Sequence, residues 1–151
     1  MTTTTIDTNI EVSRSPWTQA RPPLWGFDEV RERERFIQLE RRLLQLEVDL
    51  FADFGVQFVA GARECVCRLF VVCPSVRVPS ISAQPDGQIV CTWTNSQKER
   101  VTVRCSGLNH LQYSIAATCP GQRAPVHHAW GALTEPAVFW DENPVARRIA
   151  E

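Results

Sequence analysis

Pro79-Ser80-Ile81 leads through Gln84-Pro85-Asp86-Gly87 into Ile89-Val90-Cys91-Thr92-Trp93, and this stretch decides the fold. Proline ahead of Asp-Gly is a turn signature, because Pro85 sets its own φ and Gly87 accepts the positive φ that such turns need. In the extended run that follows, alternate residues face opposite ways, so Ile89, Cys91 and Trp93 share one apolar face. Asn95-Ser96-Gln97-Lys98 makes the next turn, ahead of Arg100-Val101-Thr102-Val103-Arg104-Cys105. A third turn at Ser106-Gly107 precedes Gln112-Tyr113-Ser114-Ile115-Ala116-Ala117. Val101/Val103/Cys105 and Tyr113/Ile115/Ala117 repeat the alternation. The expectation is a three-stranded antiparallel meander with one buried face, extended to four by a short strand over Val78 to Ser82.

Upstream lies a segment with no Gly or Pro from Asp28 to Asp53. Asp28 is placed to cap a helix, and Glu29, Glu32 and Glu34 put negative charge where the helix dipole favours it. Gly55 follows the last periodic residues and stops the helix. Phe36, Leu39, Leu43, Leu46 and Leu50 recur at helical spacing and form one apolar seam. Ile37, Leu44 and Phe51 recur every seventh residue and form a second, with Val48 beside it. Glu40 and Glu47 fall between the seams, and Gln38, Arg41, Arg42, Gln45 and Asp49 occupy the solvated side. A helix apolar on two seams needs two surfaces to pack on: its own sheet, and then a second helix or a second chain.

Between helix and meander, Arg63 to Cys73 is readable either way. Ala62, Val66, Leu69, Phe70 and Cys73 fit one face of a helix, while the β-branched and aromatic content suits a strand. The favoured reading is a short helix stopped at Pro74. The whole is thus an α+β fold, with one long helix and one short helix packed on a three- to four-stranded antiparallel meander. Residues 1–27, ending in Pro22-Pro23-Leu24-Trp25, read as an extended polar and aromatic arm. Residues 28–119 read as the domain, and 120–151, with four prolines, as a Pro- and aromatic-rich C-terminal tail whose final stretch, Pro144 to Glu151, can form a helical turn or two.

Composition narrows the function. The 16 basic and 17 acidic residues give a net charge of −1, without the basic excess of a protein that grips phosphates. No apolar run is long enough to cross a membrane, and Met1 to Asp7 has neither a basic nor an apolar signal region. A cytoplasmic location is therefore expected, with the six cysteines as thiols. Fifteen of the 16 basic residues are Arg, a skew that suits a high-GC bacterial genome.

The run Pro79-Ser80-Ile81, Pro85-Asp86-Gly87-Gln88-Ile89, Trp93, Arg100-Val101-Thr102-Val103 and Tyr113-Ser114 is similar to a pattern in small uncharacterised bacterial accessory proteins. In that pattern a helix is followed by P-x-I, by P-D-G-x-I-x-x-x-W and by two more strands; here it covers roughly residues 62–117. The resemblance implies the helix-plus-meander fold and an accessory role, for some members alongside mobile-element or toxin-type operons. It brings no catalytic residues. In place of a tryptophan- and glycine-rich segment before the short helix, this chain has Phe54-Gly55-Val56.

No residues are assigned to catalysis, to a metal or to a cofactor. Cys65-x-Cys67 is a lone close pair where zinc sites use two converging hooks. His110, His127 and His128 fall in expected turns or the tail and in no nucleophile motif. Arg100 and Arg104 with Lys98 make a small basic edge, but no aromatic residue is expected on that face, so it reads as solvated strand. Tryptophan and arginine are over-represented at interface hot spots, and Trp17, Trp25, Trp130 and Trp140 lie in the two arms, either folded back or docked on a partner. The expected partner-binding set is therefore Ile37, Glu40, Leu44, Glu47 and Phe51 with these four tryptophans. The expected function is a non-catalytic protein-binding module, antitoxin-, immunity- or inhibitor-like, whose partner is another protein or a second copy. A nucleic-acid-binding regulator is the alternative, followed by an enzyme whose Cys/His or carboxylate site only the fold assembles.

Overall fold

The three expected hairpin strands are present as β2 (Ile89–Thr94), β3 (Arg100–Gly107) and β4 (His110–Ala117). They are flanked by β1 (Ser80–Ala83) and by an unexpected β5 (Val126–Leu133), in spatial order β1-β2-β3-β4-β5, with every pair antiparallel. The computed structural model describes residues 26–151, apart from the side chains of residues 26–28, His127 and His128. Trp17 and Trp25 lie outside the described residues, as does nearly all of the expected arm. The chain divides into two units, Met1–Glu34 and Arg35–Glu151, and the whole sheet belongs to the second.

The turns form for the reasons their sequences give. Gly87 takes φ +91°, and a Cβ there would stand 2.4 Å from the Gln57 carbonyl oxygen. Only glycine allows that approach, and the Gly87 carbonyl accepts from the Val59 N–H at 2.9 Å. In the next turn Asn95 Oδ1 accepts from the Gln97 and Glu99 N–H groups at 3.1 and 3.0 Å. That side-chain mimic of a backbone turn lets Lys98 sit at φ +64°.

The inward row of the sheet is Ile81, Ile89, Cys91, Trp93, Val101, Val103, Cys105, Leu111, Ile115 and Ala117, all buried. Helix α1 (Gly26–Phe54) begins two residues ahead of the expected cap, so Gly26 and Phe27 belong to it and not to the arm. It buries Leu39, Leu43, Leu46 and Leu50. Arg42, expected on the solvated side, reaches back to donate to the Ile81 carbonyl at 3.2 Å. Arg35 donates to the Val76 carbonyl and lays its guanidinium 4.2 Å from the Phe70 ring centroid.

The ambiguous segment is helical. In α2 (Ala62–Val71) the buried residues are Ala62, Cys65, Val66, Leu69 and Phe70, a helical and not an alternating set. It ends ahead of Pro74.

The largest departure from expectation is the C-terminal segment, which is part of the folded unit. After β5 come a 3-10 turn (Pro136–Val138), α3 (Phe139–Glu142) and α4 (Pro144–Ala150). Phe139, Trp140, Ala146, Ile149 and Ala150 are buried in the same core as the sheet and α2. Trp140 is therefore no docking residue. Its ring packs edge-on against Trp93 at 5.1 Å, and its indole N–H donates to the Leu69 carbonyl at 2.8 Å. Burying such a side chain contributes about 1.5–3 kcal/mol, which a docking role would forfeit.

Among the described residues one charged group is fully buried. Glu99 is 1% exposed and accepts from Arg148 Nη1 and Nη2 at 2.9 and 3.0 Å, from Asn95 Nδ2 at 3.0 Å and from the Thr118 N–H at 2.9 Å. The Arg148 fork, then the Asn95 and Thr118 donors, hold its carboxyl down at about 2 against the opposing effect of burial. This ion pair pins α4 to the β2–β3 turn.

Candidate functional site

The second seam of α1 is where the expected site residues meet. Ile37 is 41% exposed, Leu44 55%, Val48 56% and Phe51 60%. At about 100° per residue these four side chains fall within roughly 60° of arc, on a ridge about 21 Å long from Ile37 to Phe51. Glu40 and Glu47 line one edge of the ridge, between it and the buried seam. Arg41 lies on the other edge.

Two shallow concavities follow this ridge. One is lined by Phe36, Ile37, Glu40, Arg41, Leu44 and Arg63, the other by Glu47, Val48, Phe51, Ala52 and Gln57. Arg63, from α2, approaches Glu47 at 3.7 Å, both side chains being well exposed, so the pair adds little stability. Glu40 and Arg41 make no ion pair among the described residues. A large apolar ridge beside carboxylates can bury against an apolar surface that carries cations on one side.

Trp130, from the expected set, is on β5 and 73% exposed. Its strand partner is Ser114, across from Thr102, which puts it on the outer face of the sheet with Arg100 and Arg104. The expectation that this face has no aromatic residue is therefore corrected, and the cause is the unforeseen fifth strand.

The cysteines and histidines divide by location. Cys65, Cys91 and Cys105 come together between α2 and the sheet with no exposure to solvent. A hydrogen bond with Cys65, reinforced by burial, pushes the Cys105 thiol far up, and burial does the same to Cys91. The same bond lowers Cys65, against its own burial. A nucleophilic thiol needs thiolate character and access, and this trio has no access. His110 opens β4, outside the turn expected for it, with Nδ1 3.3 Å from Ser106 Oγ. The side chains of His127 and His128 are outside the described residues, although their backbone belongs to β5. Among the described residues no three His, Cys, Asp or Glu side chains gather as a metal site, and no helix is long and apolar enough to cross a membrane.

No family model, curated protein or solved structure matches this chain.

Proposed function

We propose that this protein is a non-catalytic binding module that takes an amphipathic helix of another protein on the outer ridge of α1. It would serve as an antitoxin-, immunity- or inhibitor-like accessory protein in a bacterial or mobile-element operon. One observation supports this most: four large apolar side chains, Ile37, Leu44, Val48 and Phe51, stand exposed in line on a helix whose other seam is buried. Helix-in-groove recognition reads such heptad and i,i+4 anchors.

The charges favour a foreign partner over a second copy. In an antiparallel two-fold pair, like edges meet, so Glu40 and Glu47 of both chains would line one row of carboxylates; like-charge juxtaposition of that kind costs several kcal/mol. A parallel pair centred on the ridge, with Ile37, Leu44 and Phe51 at the d positions of a heptad, would bring Arg41 of both chains together at an a position, where apolar residues belong. A partner helix with Lys or Arg along one flank meets neither obstacle.

The test compares tagged wild type with Leu44→Glu in pull-downs from the native host, with mass spectrometry and light scattering. Leu44 is exposed, so the variant should keep its circular dichroism and lose stability by no more than about 0.5 kcal/mol. A stoichiometric partner held by wild type and lost by Leu44→Glu is the expected result. Identical retention by both proteins refutes the reading. A wild-type dimer split by Leu44→Glu replaces the foreign helix with a second copy.

A further inference from the structure

We propose that the outer face of the sheet is a binding platform for single-stranded nucleic acid, a site separate from the α1 ridge. Its geometry follows from strand register. Thr92, Thr102, Ser114 and Trp130 form one outward row, with Val90, Arg104, Gln112 and Ala132 on one side of it. Thr94, Arg100 and Ala116 form the row on the other side. The core lies against the opposite, inward row, and the described outward positions are half-buried or exposed.

Three features of this face point to the ligand. First, its described positions carry no Asp or Glu, although the chain has 17 acidic residues. Arg100 and Arg104 are its charged residues, both exposed, and neither makes an ion pair among the described residues. The field over the face is therefore positive on a protein of net charge −1, and it suits an anionic ligand. Second, Trp130 presents 73% of its surface from the middle of the edge strand β5, at one side of this face. An indole on a flat strand surface stacks bases regardless of their identity. Third, Thr92, Thr102, Gln112 and Ser114 supply hydroxyl and amide groups for base edges and sugars.

The spacing fits these roles together. Strands stand about 4.8 Å apart and residues rise about 3.4 Å, so the Trp130 Cα lies about 12 Å from the Cα of Arg100 and of Arg104. A base stacked on Trp130 thus has its flanking phosphates within reach of two long cationic side chains on β3, two strands inward and two residues to either side of the Trp130 row. A duplex gains less, because its bases are already stacked and offer no free face to an exposed indole.

The experiment uses the full chain with end-labelled oligouridine and oligothymidine, read by fluorescence anisotropy at low and physiological salt. Saturable binding is expected at low salt, with a log–log salt slope of about −1.4, the value for two phosphate contacts on a single strand. Arg104→Ala should reduce that slope in magnitude by about 0.7. Trp130→Ala should weaken binding about tenfold with the slope unchanged, and Trp130→Phe should restore most of it. Leu44→Glu should bind as wild type does. Tighter binding of oligouridine names RNA as the ligand, and tighter or equal binding of oligothymidine extends it to DNA. No saturable binding at low salt overturns the proposal. So does binding that duplex or heparin competes for equally well, or binding that Trp130→Ala leaves unchanged.

Discussion

Replacing Glu99 by Gln keeps the shape of the side chain and removes its charge from a site with four converging donors. The gap between about 4.3 for an unfolded glutamate and about 2 in the folded protein corresponds to about 3 kcal/mol of stability. The Arg148 side chain is 55% exposed, so water screens part of that attraction, and the expected loss in Glu99→Gln is about 2 kcal/mol. For a chain of this size that is a fall in Tm of about 4–8 °C. The pH dependence is the sharper readout. Because the folded-state pKa is depressed, the contribution is complete above about pH 4.3 and lost as the pH falls toward about 2. Urea melts of both proteins should therefore show a gap of about 2 kcal/mol near neutrality that closes on acidification through that window. A variant within about 0.5 kcal/mol of wild type at neutral pH would refute the reasoning, as would a gap of constant size down to about pH 2.

Two further outcomes follow from the core. Trp140→Phe removes the indole donor to the Leu69 carbonyl and should cost about 1–3 kcal/mol by chemical denaturation, whereas Trp140→Ala should cost about 3–5 kcal/mol; a loss below about 0.5 kcal/mol in both would return this residue to the surface. Thiol titration of the native protein should modify Cys67 and Cys119, which are half-buried, and reach Cys65, Cys73, Cys91 and Cys105 only on unfolding.

What could be read from the sequence divides along physical lines. Helix α1 was legible because its long run without Gly or Pro carries an unbroken helical period, and the hairpins because Pro85-Asp86-Gly87 and Asn95 specify their turns locally. Strand β5 was not. Its inward positions are Ala129, Gly131 and Leu133, and a strand whose central inward residue has no side chain shows no alternation. Gly131 is there because the Tyr113 ring fills the space: a Cβ would lie 2.8 Å from the tyrosine oxygen. The Tyr113 ring in turn packs on Phe139 at 5.1 Å, so the missed strand and the missed short helix α3 belong to one contact set, whereas the helical turns expected over Pro144 to Glu151 are present as α4. Glu99 escaped notice for a different reason. Its partner Arg148 is 49 residues away, and no local pattern announces a pairing of that range.

The second seam of α1 was visible in the sequence, and the basic sheet face was visible without its tryptophan. The physical requirements of the two surfaces differ in a way that separates them experimentally. The proposed association on the α1 ridge would be mainly apolar, so it should persist at high salt and weaken with Leu44→Glu. The proposed association on the sheet face would depend on Arg100 and Arg104, so it should fall with salt and ignore Leu44. No residue is shared between the two sets, and substitutions without shared partners combine additively to within about 0.5 kcal/mol. The double variant Leu44→Glu/Trp130→Ala should therefore show the sum of the two single defects, each in its own assay. A sheet-face defect that deepens when Leu44 is also changed would mean that the ridge and the platform act as one surface, and that the protein partner and the nucleic acid are held together.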